Sequence, residues 1–166
     1  MAILEVKKFN NPVLRKKASY VEEINEETKK IIVSLAQTME KEGGVGIAAP
    51  QVGILKRIII VEAPFRNTNI LVLINPKIIK KSKEKEKMEE GCLSFPGIFL
   101  TIKRPKEVIV EGKTIEGKKI QLRVKGFLSA VFQHEIDHLD GILFFDRLGF
   151  LKRVLFKLKT LLYGFN

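Results

Sequence analysis

The sequence predicts an α+β fold of mainly antiparallel β-sheets packed around a central α-helix, with a further helix towards each end of the chain. An amphipathic helix comes first, strand-like segments follow, and two helix-like segments come last. Because helices do not alternate with strands, a doubly wound parallel sheet is disfavoured. The length of 166 residues suits one hydrophobic core, so we expect a single domain over residues 1–166.

The three helices are expected over residues 25–42, 127–139 and 147–162. In the first, apolar side chains recur every three or four residues, acidic residues occupy the first turn, and Gly43-Gly44 follows its end. The second stops before Gly141 and is the central helix of the predicted fold.

Four strand-like segments lie between the first two helices, over residues 57–62, 70–75, 107–111 and 119–125. The first two are apolar runs, whereas the last two alternate apolar with polar residues and are joined by a turn at Glu116-Gly117. Residues 77–90 hold six Lys and four Glu in near alternation, which is typical of a solvated strand pair or loop.

Amino-acid composition favours some classes of protein and excludes others. Thirty Lys and Arg against nineteen Asp and Glu give a net charge of +11, which favours acidic partners such as nucleic acid or an anionic membrane. A single Cys cannot form an internal disulfide, so a disulfide-built secreted module is excluded. The apolar runs are far shorter than the roughly 20 residues of a transmembrane span, and the chain does not start like a signal peptide. We therefore expect a cytoplasmic protein.

The sharpest feature is the segment QHEIDH at residues 133–138, in the second helix. His134 and His138 are four residues apart on one helix face, so their imidazoles can bind one metal ion. Glu135 then lies beside the ion, where a carboxylate can act as a base on water that the metal activates. The structural alternative is a pair of surface histidines on a polar helix face.

A catalytic metal site usually has three protein ligands and one open position. The chain has no third His, and its only Cys, Cys92, stands in the segment EGCLS at residues 90–94. Cys92 and the two histidines would supply the three protein ligands and leave the fourth position open. A lone Cys, however, is more often a small buried apolar side chain. Carboxylates compete for the third position, with Asp137 and Asp140 nearest, and Asp137 also suits a supporting role outside the ligand set.

The loop GVGIAAPQVG at residues 44–53 is rich in glycine and alanine, whose small side chains leave its backbone accessible. An extended substrate can lie against its main chain, and Gln51 adds one neutral amide. The loop closes a helix instead of following a strand, so it is a weak candidate for phosphate binding. A tight packed turn is the structural alternative.

Together these three segments resemble the peptide deformylase family, which is recognised by a GxGxAAxQ loop, an EGCLS segment and a QHExxDH helix. The sequence carries all three in this order, and residues 11–18 look like the family's usual N-terminus. The resemblance covers nearly the whole chain. It implies a metal-dependent hydrolase that removes the N-formyl group from the methionine at the start of new polypeptides.

The resemblance also implies residue roles. Cys92, His134 and His138 would be the metal ligands, and Glu135 the general base and acid. Gln51 and the backbone N–H of Leu93 would donate to the oxyanion, and Gly46 would contact the substrate through its main chain. From the same motifs we add Gly44, Glu90 and Gly91 as substrate-binding residues. The family suggests Fe(II), replaceable by Zn, Ni or Co, whereas the donor set alone suits Zn.

Helix geometry suggests a pocket for the methionine side chain. Phe127, Ala130 and Val131 precede His134 by seven, four and three residues, so they share its helix face. With Val45 they are expected to line an apolar pocket, to which Met88 and Leu93 are weaker additions. Plain core packing is the alternative for each of them.

The last segment, residues 147–166, has five basic residues and no acidic one, together with a leucine stripe at Leu148, Leu151, Leu155, Leu158 and Leu162. We expect the stripe to pack inwards and the cations to face outwards, where they could dock on ribosomal RNA phosphates near the peptide exit. A solvated helix without a partner and a membrane-surface helix are the alternatives.

Two other functions are compatible with these motifs. The His-Glu-x-x-x-His helix could belong to a zinc peptidase, and the basic charge could belong to a ribosome- or RNA-binding module with a structural metal.

Overall fold

The computed structural model describes residues 3–63 and 70–163, and within its last helix it leaves out the side chains of Lys157 and residues 159–163. The helices are α1 (Glu26–Lys41), α2 (Gly126–Leu139) and α3 (Phe150–Tyr163). The strands are β1 (Gly46–Ala48), β2 (Ile58–Glu62), β3 (Ile70–Lys81), β4 (Lys85–Cys92), β5 (Phe95–Pro105), β6 (Glu107–Lys113) and β7 (Lys119–Lys125).

In the part of the chain that the structure describes, two antiparallel sheets carry the fold. One has five strands in the order β1-β2-β3-β6-β7, and the other is the β4–β5 hairpin. The predicted α+β class with mainly antiparallel sheets is therefore confirmed. The charged stretch at residues 77–90 forms the end of β3 and most of β4, joined by a short turn.

Helix α1 begins where its sequence predicts. The side chain of Asn25 caps it by accepting a hydrogen bond from the Thr28 N–H (3.0 Å), which satisfies one of the free amides at the helix start. Its apolar face packs on β1 and β2, with Ile32, Leu35 and Met39 against Ile47, Ile58 and Ile60.

Helix α2 is central, as predicted, and contacts strands of both sheets. Its residues from Ser129 to Leu139 are buried, and its apolar side packs on the five-stranded sheet through Val131, Phe132, Ile136 and Leu139. Arg57 holds the end of this helix, since its Nη1 lies 2.7 Å from Asp140 Oδ1 and also donates to the Leu139 carbonyl. This buried packing gives α2 a fixed position from which to present polar groups.

The C-terminal region differs from its prediction. A short 3-10 helix covers Phe144–Arg147, and α3 begins only at Phe150. Phe156 packs on Phe145, with ring centroids 4.9 Å apart, and this contact decides which side of α3 faces the body of the protein. Leu151, Leu155 and Leu158 are consequently exposed, so the expectation that the stripe packs inwards is wrong for them. Leu148 is partly buried, and the side chain of Leu162 lies outside the described residues.

None of the helices in residues 3–63 and 70–163 combines the length and the apolar character that crossing a bilayer requires.

Candidate metal centre

The two histidines of α2 point into one site. Both side chains are buried, and their ring centroids are 5.0 Å apart. The Sγ of Cys92 lies 3.3 Å from Nε2 of His138. One ligand atom from each of Cys92, His134 and His138 lies within 4.8 Å of the other two, so the structure brings together three donors for one metal ion.

Cys92 reaches this site because the β4–β5 hairpin is irregular at its end. Cys92 pairs with Phe95, and the register shifts between Glu90 and Cys92. Such irregularities redirect a side chain out of the regular pleat. Gly91 leaves room for the neighbouring ring, since a Cβ there would lie 2.8 Å from Cε1 of Phe99.

The competing carboxylates have other partners. The Oδ2 of Asp137 accepts hydrogen bonds from Arg104 Nη1 (2.8 Å) and Arg147 Nε (3.0 Å). The Oδ1 of Asp140 accepts one from Arg57. Neither residue belongs to the ligand group of the described residues, and Asp137 supports the site from outside it.

Glu90 orients the first histidine. Its Oε2 lies 3.0 Å from Nδ1 of His134 and accepts a hydrogen bond from Arg104 Nη2 (2.9 Å), and all three side chains are buried. Glu90 was expected among the substrate-binding residues, and its carboxylate binds these two side chains at the edge of the site. Arg104 stands in none of the three motifs and was not expected at the site. The signal that could have found it is its strand register with Ile102, two residues earlier and also buried.

The electrostatics of the three donors fit a cation. Burial by itself would lower the pKa of His134, but the Cys92 thiol and Glu90 outweigh it and raise this pKa well above its ordinary value. A site that favours a proton on His134 favours positive charge, which a divalent ion supplies. For His138, burial and the nearby His134 lower the pKa, which keeps this imidazole neutral and able to donate an electron pair.

Glu135 lies next to the donors and is itself buried. Burial raises its pKa to about 7, and its Oε2 has no hydrogen-bond partner among the described residues. Gly46 packs directly against it, since a Cβ at Gly46 would lie only 2.7 Å from Glu135 Oε1. An uncommitted carboxylate that can gain or lose a proton near neutral pH suits acid–base chemistry.

Gln51 is held in one orientation. Its Oε1 accepts a hydrogen bond from the Ala48 N–H (2.8 Å), so its Nε2 is turned towards the site, 3.6 Å from Cys92 Sγ. On the other side, Lys8 Nζ donates to the backbone carbonyl of Leu93 (3.2 Å) and ties the N-terminal segment to the hairpin.

A cavity of about 450 Å³ opens onto these groups. Its lining includes the residues that sequence analysis assigned to the substrate: Gly44, Val45, Gly46, Gln51, Met88, Glu90, Gly91, Leu93, Phe127, Ala130 and Val131. Lys8 and Phe99 also line the cavity and were missed, because no motif marks them and only the tertiary fold brings them there.

Comparisons with known proteins agree with this site. The sequence profile of the polypeptide deformylase family matches residues 3–154. A peptide deformylase from Thermodesulfovibrio yellowstonii is 48% identical over 161 residues, which cover 96% of this chain and 97% of that protein. The crystal structure of the Thermotoga maritima peptide deformylase is 40% identical, with a TM-score of 0.85 over 90% of this chain and 99% of its own.

A third relative, a class I type b peptide deformylase from Acinetobacter baumannii, was crystallised with Met-Ala-Ser bound. It is 35% identical, with a TM-score of 0.84, and the match covers 89% of this chain and 99% of that one. The chain described here therefore belongs to the peptide deformylase family, the metal-dependent enzymes that remove the N-formyl group from nascent peptides.

Proposed function

We propose that Cys92, His134 and His138 hold one divalent metal ion and that Glu135 is the general base and acid of the deformylation. The convergence of the three donor atoms beside buried Glu135 is the observation that carries this proposal. The test is formate release from a formyl-Met peptide by wild type and Glu135→Gln, with the metal content of each measured.

The bound metal supplies Lewis acidity, which activates water and polarises the formyl group. Glu135 takes the proton from the attacking water at its carboxylate and later gives it to the leaving amine. Gln51 Nε2 and the Leu93 N–H donate hydrogen bonds to the formyl oxygen as negative charge develops on it. The products are formate and a peptide with a free amino terminus.

The methionine side chain occupies the apolar part of the cavity, against Val45, Phe127, Ala130 and Val131. Two observations support this assignment: all four residues line the cavity, and the relative from A. baumannii binds Met-Ala-Ser, a peptide that begins with methionine. The main chain of Gly44 and Gly46 borders the extended peptide, and Gly91 lines the cavity beside it.

The proposed metal is Fe(II), with Zn, Ni or Co as replacements. One thiolate and two imidazoles suit any of these ions, and the family resemblance favours iron. Iron would make the Cys92 thiolate a point of oxidative loss. The test is anaerobic purification with metal analysis, followed by measurement of activity per metal for each reconstituted ion.

The competing functions make different predictions. A zinc peptidase cleaves internal peptide bonds, whereas a deformylase releases formate from the amino terminus. An RNA-binding module with a structural metal would lose nothing measurable in Glu135→Gln. The family match does not favour either alternative.

The partner beyond the nascent peptide is proposed to be the ribosome, reached through residues 147–166. The absence of acidic residues from this segment supports contacts to RNA phosphates. The test is ribosome co-sedimentation with and without these residues, and equal, salt-insensitive binding of the two forms would contradict docking. The single domain over residues 1–166 and the cytoplasmic location remain predictions.

A further inference from the structure

The apolar side of α3 lies in solvent. Phe150, Leu151, Leu155 and Leu158 are between 49% and 75% exposed, and Val154 is exposed as well. At about 100° per residue these five positions span a continuous arc of about 140° around the helix axis. Phe156 lies outside this arc and packs on Phe145, so the contact that fixes the helix leaves the arc uncovered.

Cations accompany this arc. Lys152 and Arg153 lie outside it on the same helix, the sequence adds Lys157 and Lys159, and no acidic residue follows Asp146. We propose that this face, called here the α3 apolar face (Phe150, Leu151, Val154, Leu155 and Leu158), binds the surface of an anionic membrane, with its apolar side chains in the lipid interface and its cations at the headgroups.

Two features favour lipid over the other occupants. RNA phosphates contact cations alone, so ribosome docking through residues 147–166 would leave the five apolar side chains in solvent, whereas an anionic bilayer surface accommodates both the cations and the apolar face. A second copy of the chain would bring two basic, acid-free segments together, and their like charges oppose that contact. Exposed aromatic and leucine side chains beside lysines are the usual composition of helices that lie in a lipid interface.

The chain offers a sensitive probe, because it contains no tryptophan. Leu155→Trp places the only indole on the α3 apolar face. With phosphatidylglycerol vesicles, its emission should shift to the blue and be quenched by brominated acyl chains, and both effects should be much weaker with phosphatidylcholine vesicles. No blue shift with anionic vesicles would overturn the proposal. So would a shift that appears without vesicles and grows with protein concentration, because a second copy would then cover the face.

Co-sedimentation of the metal-loaded full chain provides the second measurement. Leu155→Ser should lower partitioning onto phosphatidylglycerol vesicles about tenfold, since a leucine side chain is lost from the interface. Lys152→Gln should lower it about fivefold. Val33→Ser removes an exposed aliphatic side chain from α1, away from the α3 apolar face, and should change nothing.

Formate release from a short formyl-Met peptide, without vesicles, should be equal in all variants and shows that each is folded. Equal vesicle binding by Leu155→Ser and Val33→Ser would contradict the proposal. A loss of ribosome binding in Leu155→Ser without any vesicle binding by wild type would assign the face to the ribosome instead.

Discussion

Glu90 fixes the ring of His134 through a 3.0 Å contact between Oε2 and Nδ1, and the second nitrogen of that ring is thereby left for the metal. Removing a group that orients a metal-binding histidine in this way typically lowers the affinity for the metal about 10- to 100-fold. Glu90→Gln should therefore lower metal affinity by about that factor, measured by competition with a chelator. Glu86→Gln, an exposed change on the same strand, is the control, and equal affinities in the two variants would refute the role of Glu90.

Gly46 leaves the space that Glu135 needs. In Gly46→Ala the new Cβ would lie 2.7 Å from Glu135 Oε1, so the carboxylate must move. A displacement of about 1 Å from a working geometry can cost about a hundredfold in rate, and we expect a fall in kcat of that order. Gly149→Ala, whose Cβ meets nothing within 4 Å, should retain full activity. The rate of formate release at saturating substrate distinguishes the two.

The orientation of Gln51 predicts a role that is confined to the transition state. Gln51→Leu removes the donor Nε2 and should lower kcat about 100- to 1000-fold, while the metal content stays unchanged. Gln121→Leu changes an exposed amide on β7 and should have no effect on kcat. If Gln51→Leu instead raised KM and left kcat intact, Gln51 would bind the ground state and the transition state equally.

Glu135 predicts a pH-dependent stability of the metal-free protein. Burial raises its pKa from 4.5 to about 7, so the folded chain keeps a proton that the unfolded chain releases above pH 4.5. Because the unfolded state then binds fewer protons, the free energy of unfolding should fall as the pH rises from 4.5 to about 7. Above about pH 7 this one carboxyl group should lower the free energy of unfolding by about 3 kcal/mol relative to its value below pH 4.5.

The measurement is urea unfolding in the presence of a chelator, with Glu135→Gln as the reference. The glutamine does not titrate, so the difference between wild type and variant isolates this one carboxyl group. Parallel pH dependences for the two proteins would show that folding does not raise the pKa of Glu135. With metal restored, the variant should lose about 100- to 10,000-fold in kcat and keep its metal.

Local patterns predicted most of the fold. The helix at α1 follows from apolar spacing, acidic residues in its first turn and the glycines after its end, and β6 and β7 follow from alternation, because each signal lies within a few neighbouring residues. The three-residue strand β1 is too short to show a period. The apolar pattern of α3 correctly predicted a helix but wrongly predicted which of its faces packs inwards. The orientation depends on the contact between Phe145 and Phe156, which is tertiary and cannot be read from local spacing.

The site residues, too, include some that local sequence patterns predict and others that they do not. Spacing along one helix indicates that His134 and His138 share a face, and this needs no knowledge of the rest of the chain. Joining Cys92 to them required the family resemblance, since reasoning from the residues alone left Asp137 and Asp140 open. Arg104 reaches the site only through the pairing of β4 with β5, so its role became visible only in three dimensions.

The convergence of Cys92 on His138 also has a topological consequence. The two residues are 46 positions apart, so a metal ion bound to both closes a loop of that length. By chain entropy, a cross-link of this size disfavours the unfolded state by about 4 kcal/mol. A protein whose single cysteine cannot form an internal disulfide would thus gain a reversible cross-link from a metal bound there. Chelation should then loosen its fold, as reduction of disulfides loosens a secreted protein.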